Sequence, residues 1–378
     1  MAERTLMKDG LSSVAVHRIA AALTLAAVTF DSDGFVREAL SGIDNLELKE
    51  RVAHLINVLH SHLPENFDEC AAVLGKLPEV WLGGEAGDPL SGFAAWPLID
   101  YVAVYGLDYP HISLPLLAKL TRLFSAEFAV RPFITMHQRI SFTYLLEWAQ
   151  SEDEHVRRLV SEGARPRLPW GMQLKQFIDN PAPVLPLLHK LRNDKSQYVR
   201  RSVANNMNDI GKDHPKLLIE LCQAWRKMDK GKTDWIISHA TRSLVKKGFP
   251  DVFALLGYTT KLQLEVGEIE LKSVKIKMGS DLNFNLVISS LLPTDKNSNT
   301  YQQKFVVDYA IYFMRSNGSK GKKVFKLKNC MLGAAEQLEI RKKHAFRKIS
   351  TRNYYPGEHY LAIHINGVEV KSAPFYLN

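Results

Sequence analysis

The apolar residues of this chain change period near Gly257, and that change limits the fold more than any single motif. Before it they recur every three to four residues, which gives a helix one apolar stripe. After it they alternate, which gives a strand one buried face. No segment satisfies both periods, so two modules are expected: residues 1–256 all-α and residues 257–378 all-β. A chain of 378 residues is long enough for each to bury a core of its own.

Within the first module, Leu46–Leu63 places Leu46, Leu48, Val52, Leu55, Ile56, Val58 and Leu59 on one stripe, and Pro64 ends it. Leu114–Phe124, His137–Gln150, Pro183–Leu191 and Pro215–Trp225 carry similar stripes, and Gly83–Gly92 reads as a loop. HVRRLVSEGARP from His155, YVRRSVANNMND from Tyr198 and WIISHATRSLVK from Trp235 share apolar positions, with starts 43 and 37 residues apart. That spacing suits HEAT-type helical pairs, which stack because one pair alone cannot bury its stripe, and which offer a long concave face. The expected fold is therefore an all-α HEAT-like helical-repeat solenoid.

In the second module, Leu262–Val266, Leu282–Ile288, Phe305–Phe313, Lys323–Lys328, Gln337–Ile340, Tyr360–Ile365 and Glu369–Phe375 read as strands. Asn297-Ser-Asn, Asn317-Gly-Ser-Lys-Gly and the hairpin pair Asn366-Gly367 separate some of them. This pattern predicts an immunoglobulin-like β-sandwich, with Tyr354, Tyr355 and Tyr360 near the place of a corner tyrosine.

Composition sharpens the division. The net charge of +9 lies wholly in residues 257–378, which hold 19 Lys and Arg against 10 Asp and Glu; the first 256 residues are neutral overall. A basic module beside a neutral one suggests a polyanionic partner gripped partly by the second, although a merely solvated basic surface has the same composition. Cys70, Cys222 and Cys330 are far apart and lack metal-ligand spacing, which fits a reducing cytoplasm and offers neither a zinc site nor a disulfide framework. Ile19–Phe30 is apolar but too short to span a bilayer and reads as a buried helix. His54, His60 and His62 fall on different sides of their helix and are not expected to share a metal.

SEGARPRLPW at Ser161–Trp170 and VRRSVANNMNDIGKDHP at Val199–Pro215 resemble the AlkC/AlkD superfamily of DNA glycosylases. LKERVAHLINVLHSHLP (Leu48–Pro64), SAEFAVRPFI (Ser125–Ile134) and HATRSLVKKG (His239–Gly248) extend the resemblance over most of residues 1–256. An appended immunoglobulin-like domain favours the AlkC type. The resemblance implies hydrolysis of the N-glycosidic bond of bases such as 3-methyladenine and 3-methylcytosine in duplex DNA, without the base flipping that most base-processing enzymes use.

A base methylated on a ring nitrogen is cationic and already a good leaving group. The enzyme must then stabilise an oxocarbenium-like sugar and deliver water, for which carboxylates and an aromatic face suffice. Matched to the family motif, Glu162 is the first catalytic carboxylate, Glu127 the second, Trp170 the aromatic partner and Asp209 a weaker third acid. Each has a plainer reading: Glu162 with Arg158, or Glu127 with Arg131, could be a solvent-exposed i,i+4 ion pair. Trp170 could plug a gap between repeats, and Asp209 could simply end a helix. Arg158 would position a phosphate or Glu162. Arg165, Arg157, Arg200, Arg201, Arg242, Lys246 and Lys247 are the expected phosphate contacts of the helical module. Lys320, Lys322 and Lys323 form a glycine-interrupted basic loop, and Arg341–Lys343 with Arg347 and Lys348 a second cluster, both able to grip DNA from the β module.

The expectation is a monomeric, cytoplasmic DNA-repair glycosylase without metal or cofactor, acting on alkylated duplex DNA and using no membrane. A non-catalytic HEAT-repeat DNA-binding or scaffold protein is the alternative, and the neutral charge of the helical module suits it.

Overall fold

A computed structural model describes residues 6–83, 88, 90–229, 233–294, 301–349 and 352–378. Helices run from Ser13 to Leu255, and strands follow from Leu264 to Leu377. Every helical stripe read from the sequence lies on a helix, among them Leu48–His62, Pro110–Leu120, Gln138–Trp148, Leu185–Leu191 and Pro215–Asp229. The apolar run Ile19–Phe30 is helical only to Ala26, in the helix Ser13–Ala26, which buries Val16, Ile19 and Leu23 completely, while Val28 beyond it is exposed. Part of the Gly83–Gly92 loop and the Asn297-Ser-Asn turn lie outside the described residues.

The first two aligned segments lie on the helices Glu154–Gly163 and Gln197–Asp213, whereas the third breaks at Thr241 into Asp234–Ala240 and Arg242–Lys247; Gln197–Asp213 packs against Glu154–Gly163 and Asp234–Ala240. Asp153 caps the first of them by accepting from the backbone N–H groups of His155 (2.8 Å) and Val156 (3.4 Å). Pro166 lies just beyond its end, where it cannot continue a helix. Val156, Leu159 and Val160 line its buried side, while its second face carries Arg158 and Glu162. The repeat therefore displays functional groups along one edge and pays for that display with a packed stripe on the other.

The strands are β1 (Leu264–Val266), β2 (Glu270–Leu271), β3 (Lys275–Ile276), β4 (Asp281–Ser290), β5 (Gln303–Met314), β6 (Lys320–Leu332), β7 (Gln337–Ala345), β8 (Gly357–Ile365) and β9 (Val368–Leu377). One sheet joins β1, β2 and β7 to β4; the other has the order β3-β9-β8-β5-β6. Leu282, Phe284, Leu286 and Ile288 from the first sheet meet Phe305, Val307, Ile311, Leu361 and Ile363 from the second in one apolar core. Tyr354 packs against that core beside Phe313 and Phe346. All seven strands read from the sequence are present; β2 and β3, two residues each, leave too short an alternation to be legible.

Two compact units divide the chain, but not at Gly257. One comprises Met1–Asp213 and Gly231–Ala240, the other His214–Lys230 and Thr241–Asn378. The last helices thus belong with the sandwich. Gly248, at φ +70°, meets the Gly367 backbone so closely that an added Cβ would lie 2.6 Å from the Gly367 carbonyl oxygen. Strand β5 is accordingly buried on both faces, Val306, Asp308 and Ala310 as well as the core-facing residues. No helix among the described residues is long and apolar enough to cross a membrane.

Candidate functional site

The site lies in the first unit, where Glu127 precedes the helix Val130–Met136, Glu162 sits in the last turn of Glu154–Gly163, and Asp209 lies in Gln197–Asp213. Arginines join the three carboxylates. Arg158 Nη1 donates to Glu127 Oε2 at 2.6 Å, and its Nη2 is 3.6 Å from Glu162 Oε1. Arg165 donates from Nη1 to Glu162 Oε1 (2.6 Å) and from Nε to Asp209 Oδ2 (2.8 Å). Ser202 completes Glu162 with a 2.6 Å bond to Oε2, and Lys212 completes Asp209 with a 2.7 Å bond to Oδ1. Ser125 donates to Glu127 Oε2 at 2.8 Å, while Glu127 Oε1 accepts no hydrogen bond among the described residues.

Burial makes these contacts consequential. Glu162 is 5% exposed and Asp209 fully buried, so leaving either side chain without these partners would be costly. Burial alone would push the Arg158 and Arg165 guanidiniums down, but the carboxylates around them overturn it and hold both above the usual value. Arg131 differs: burial first and Arg165 second depress it to about 10. It spends its N–H groups on the carbonyls of Met172 (2.6 Å) and Gly163 (2.8 Å), and one buried Nη2 has no hydrogen-bond partner. Arg131 therefore ties two loops to the helix end and is not the surface partner of Glu127 that i,i+4 spacing suggested.

Glu127, Glu162 and the Arg165 that bonds Glu162 line one groove of about 330 Å³, whose other walls are Phe93, Trp96, Phe124, Phe128, Leu168, Pro169 and Trp170. Trp170 is 60% exposed at the rim and so plugs no gap between repeats. Its backbone lies at φ 64°, a left-handed conformation that costs a Trp about 1–3 kcal/mol and persists only where surroundings enforce it. Asp209 does not reach the groove: both its oxygens are occupied by cations behind Glu162. The aromatic wall was invisible to sequence reasoning because Phe93 and Trp96 come from a segment with no motif; Phe124 and Phe128, one turn apart around Glu127, were the available hint.

Several expected phosphate contacts need correction. Arg157 is turned inward, 6% exposed, gripping both oxygens of Asp194 (2.6 and 3.0 Å) and the carbonyls of Ser151 and Glu152. Bidentate geometry and burial make it a structural strut. Arg165 is likewise buried between carboxylates and orients them. Arg200 donates to the Asp194 and Lys195 carbonyls, closing the same turn. Arg158 sits over the Tyr198 ring at 5.0 Å and serves Glu127 more than Glu162. Arg201 is exposed on the Gln197–Asp213 helix. Arg242, Lys246 and Lys247 share the short helix Arg242–Lys247 in the other unit.

In the β module Lys320–Lys323 and Arg341–Lys343 lie on strands, while Arg347 and Lys348 follow the end of β7. Lys320, Lys322 and Lys323 open β6, paired with Met314, Tyr312 and Ile311 of β5, because the turn closes earlier, at Arg315–Ser319. Lys320 binds Glu358 at 2.7 Å and covers the Tyr360 ring, and Lys322 approaches His364 Nε2 at 2.7 Å. Arg341, Lys342 and Lys343 lie in β7 and line a hollow of about 770 Å³ with Glu270, Lys272 and Glu339. Cys70, Cys222 and Cys330 are buried free thiols. Among the described residues no group of His, Cys, Asp and Glu could hold a metal, and His60 instead stacks on Tyr105 at 3.8 Å.

Comparison with known proteins follows the same outline. Residues 265–378 match the family described as "Uncharacterised protein YhaZ, C-terminal Ig-like domain". Uncharacterized protein YhaZ of Bacillus subtilis (strain 168) is 38% identical over 328 residues, 87% of this chain and 86% of that one. The structure of Pseudomonas fluorescens alkylpurine DNA glycosylase AlkC bound to DNA containing an abasic site analog superposes with a TM-score of 0.90. It is 35% identical, and the match covers 99% of this chain and 100% of that one.

Proposed function

The chain belongs to the family of the alkylpurine DNA glycosylase AlkC, and on that footing we propose that it hydrolyses the N-glycosidic bond of cationic alkylated bases in duplex DNA. The observation that carries this reading is the groove itself, where two carboxylates and five aromatic rings face one space.

The roles follow from which oxygens are already engaged. Glu162 has both oxygens bound, by Arg165 and Ser202, so it acts as a fixed negative charge beneath the sugar as the oxocarbenium character develops. Glu127 keeps Oε1 open while Arg158 and Ser125 anchor Oε2; it is the group suited to orient the attacking water. Trp170, at the rim, offers its π face to the same developing cation. Asp209 acts through Arg165, as a positioning residue rather than a catalytic one. No general acid is needed, because a base such as 3-methyladenine or 3-methylcytosine departs neutral once its cationic form loses the bond. An exposed groove rim suits a base attacked within the duplex, and exposed cations such as Arg201, with the strand lysines of the β module, are the phosphate contacts proposed.

The test is release of methylated bases from methylated duplex DNA. Wild type should release 3-methyladenine; Glu162→Gln and Glu127→Gln should each lose a hundredfold or more, on the order of other electrostatic groups, while DNA binding persists. Salt-sensitive DNA binding with no release by wild type would refute the enzyme.

A further inference from the structure

Two indoles flank the groove, and each is held by a charged residue that does not line it. Trp96 Nε1 donates to Asp100 Oδ2 at 2.7 Å, one turn on along the same helix, which fixes the ring against Phe124 (5.7 Å, stacked) and Phe128 (5.5 Å). Among the described residues the Trp170 side chain has no such hydrogen-bond anchor. Its hold is on the backbone: Lys49 Nζ, from the helix Leu48–His62, donates to the Trp170 carbonyl at 3.0 Å across 121 residues of sequence.

That carbonyl belongs to the residue in the left-handed region, so the bond falls where the loop has most tendency to relax. Within the loop, Gly171 N–H to Leu168 O (3.3 Å) and Leu174 N–H to Pro166 O (3.1 Å) hold its base on either side of Trp170. Asp100 sees the Lys49 charge as well as the Trp96 N–H, and both draw its carboxyl back against the burial that raises it to about 6. Asp100 thus serves the first indole by hydrogen bond.

We propose that Lys49 is a positioning residue for the reaction: its bond to the Trp170 carbonyl holds the indole at the groove rim. This rests on the glycosylase reading for its kinetic consequence, but the tether itself is a property of the free protein. A lysine this exposed has one competing use, a phosphate contact, and the two uses predict different data.

The experiment compares wild type, Lys49→Met and Lys49→Arg. In the free protein labelled with 5-fluorotryptophan, the Trp170 resonance (assigned with Trp170→Phe) should shift or broaden in Lys49→Met and return in Lys49→Arg. With methylated duplex DNA, Lys49→Met should lower kcat about tenfold or more, as misplacement of a group by an ångström can. DNA affinity and its salt slope should stay unchanged. An unmoved Trp170 resonance overturns the proposal even if wild type releases no base, a result that would sink only the glycosylase reading. Unchanged kcat with weaker binding and a salt slope reduced by about one would make Lys49 a phosphate contact instead and also overturn it.

Discussion

Replacing Arg165 with Met isolates the charge that holds the site together. Arg165 is 8% exposed at its side chain and serves two carboxylates, Glu162 (6%) and Asp209 (0%). Breaking a buried pair by removing one partner costs about 3–5 kcal/mol, because the other charge stays buried and uncompensated. Here each carboxylate keeps something: Asp209 keeps Lys212 at 2.7 Å, and Glu162 keeps Ser202 at 2.6 Å with Arg158 at 3.6 Å. Arg131 is also relieved, since Arg165 is one of the charges that depress it. The loss should therefore fall at the low end, about 3 kcal/mol, or roughly a 6–12 °C fall in Tm for a unit of this size. Urea unfolding at pH 7, followed by tryptophan fluorescence, measures it. Glu162→Gln/Arg165→Met removes a buried charge from each side and should recover about half, a coupling expected only between residues in contact. If Arg165→Met unfolds within about 1 kcal/mol of wild type, the carboxylates are not held as described and the roles given to Glu162 and Asp209 lose their basis.

Two further changes probe other joints. Gly163→Ala puts a Cβ 2.5 Å from Val130 Cγ1, so the helix end carrying Glu162 must move; about 1–3 kcal/mol of stability and more than tenfold of base release should be lost, read by unfolding and release assays on one preparation. In the sandwich, burial first, then Arg352, Lys323 and Lys342, press the His344 imidazole down to about 4, with Asp281 opposing. A depressed base stabilises the fold above its unfolded value near 6.5 and loses that contribution as pH falls through 4, a span of about 3 kcal/mol. His344→Phe should therefore flatten the acid limb of the β module's stability curve, and an unaltered limb in a pH series of urea melts would exclude His344 as its source.

Periodicity revealed the elements because burial on one face is a repeating demand. Leu48–His62 shows its stripe through Leu55 and Leu59, and β4 shows alternation from Leu282 to Ile288. The unit boundary did not follow the change of period. The helix Arg242–Lys247 obeys helical patterning yet belongs with the sandwich, and patterning says only that a face is buried, never against what. Strand β6 was read as partly loop because Lys320-Gly-Lys-Lys is poor in apolar residues. An edge strand needs few of them, and lysines along it discourage pairing with another chain.

The two V-R-R segments show where sequence reading stops at the site. In each, the first arginine, Arg157 or Arg200, turns back to the Asp194 turn, while the second, Arg158 or Arg201, faces away from it. Adjacent helix positions are about a quarter-turn or more apart, so one of the pair must meet the neighbouring turn when the other meets the open edge. Spacing could therefore say that one arginine of each pair is structural, but choosing which required knowing on which side the next repeat packs. The same limit explains the acids. Glu162 and Asp209 stand at equivalent polar faces of successive helices, yet one lines the groove and the other lies behind it, because Arg165 reaches between the helices and binds both. Their functional difference is one of depth, and depth is set by neighbours 40 or more residues away, such as Ser202 on Glu162 and Arg165 on Asp209.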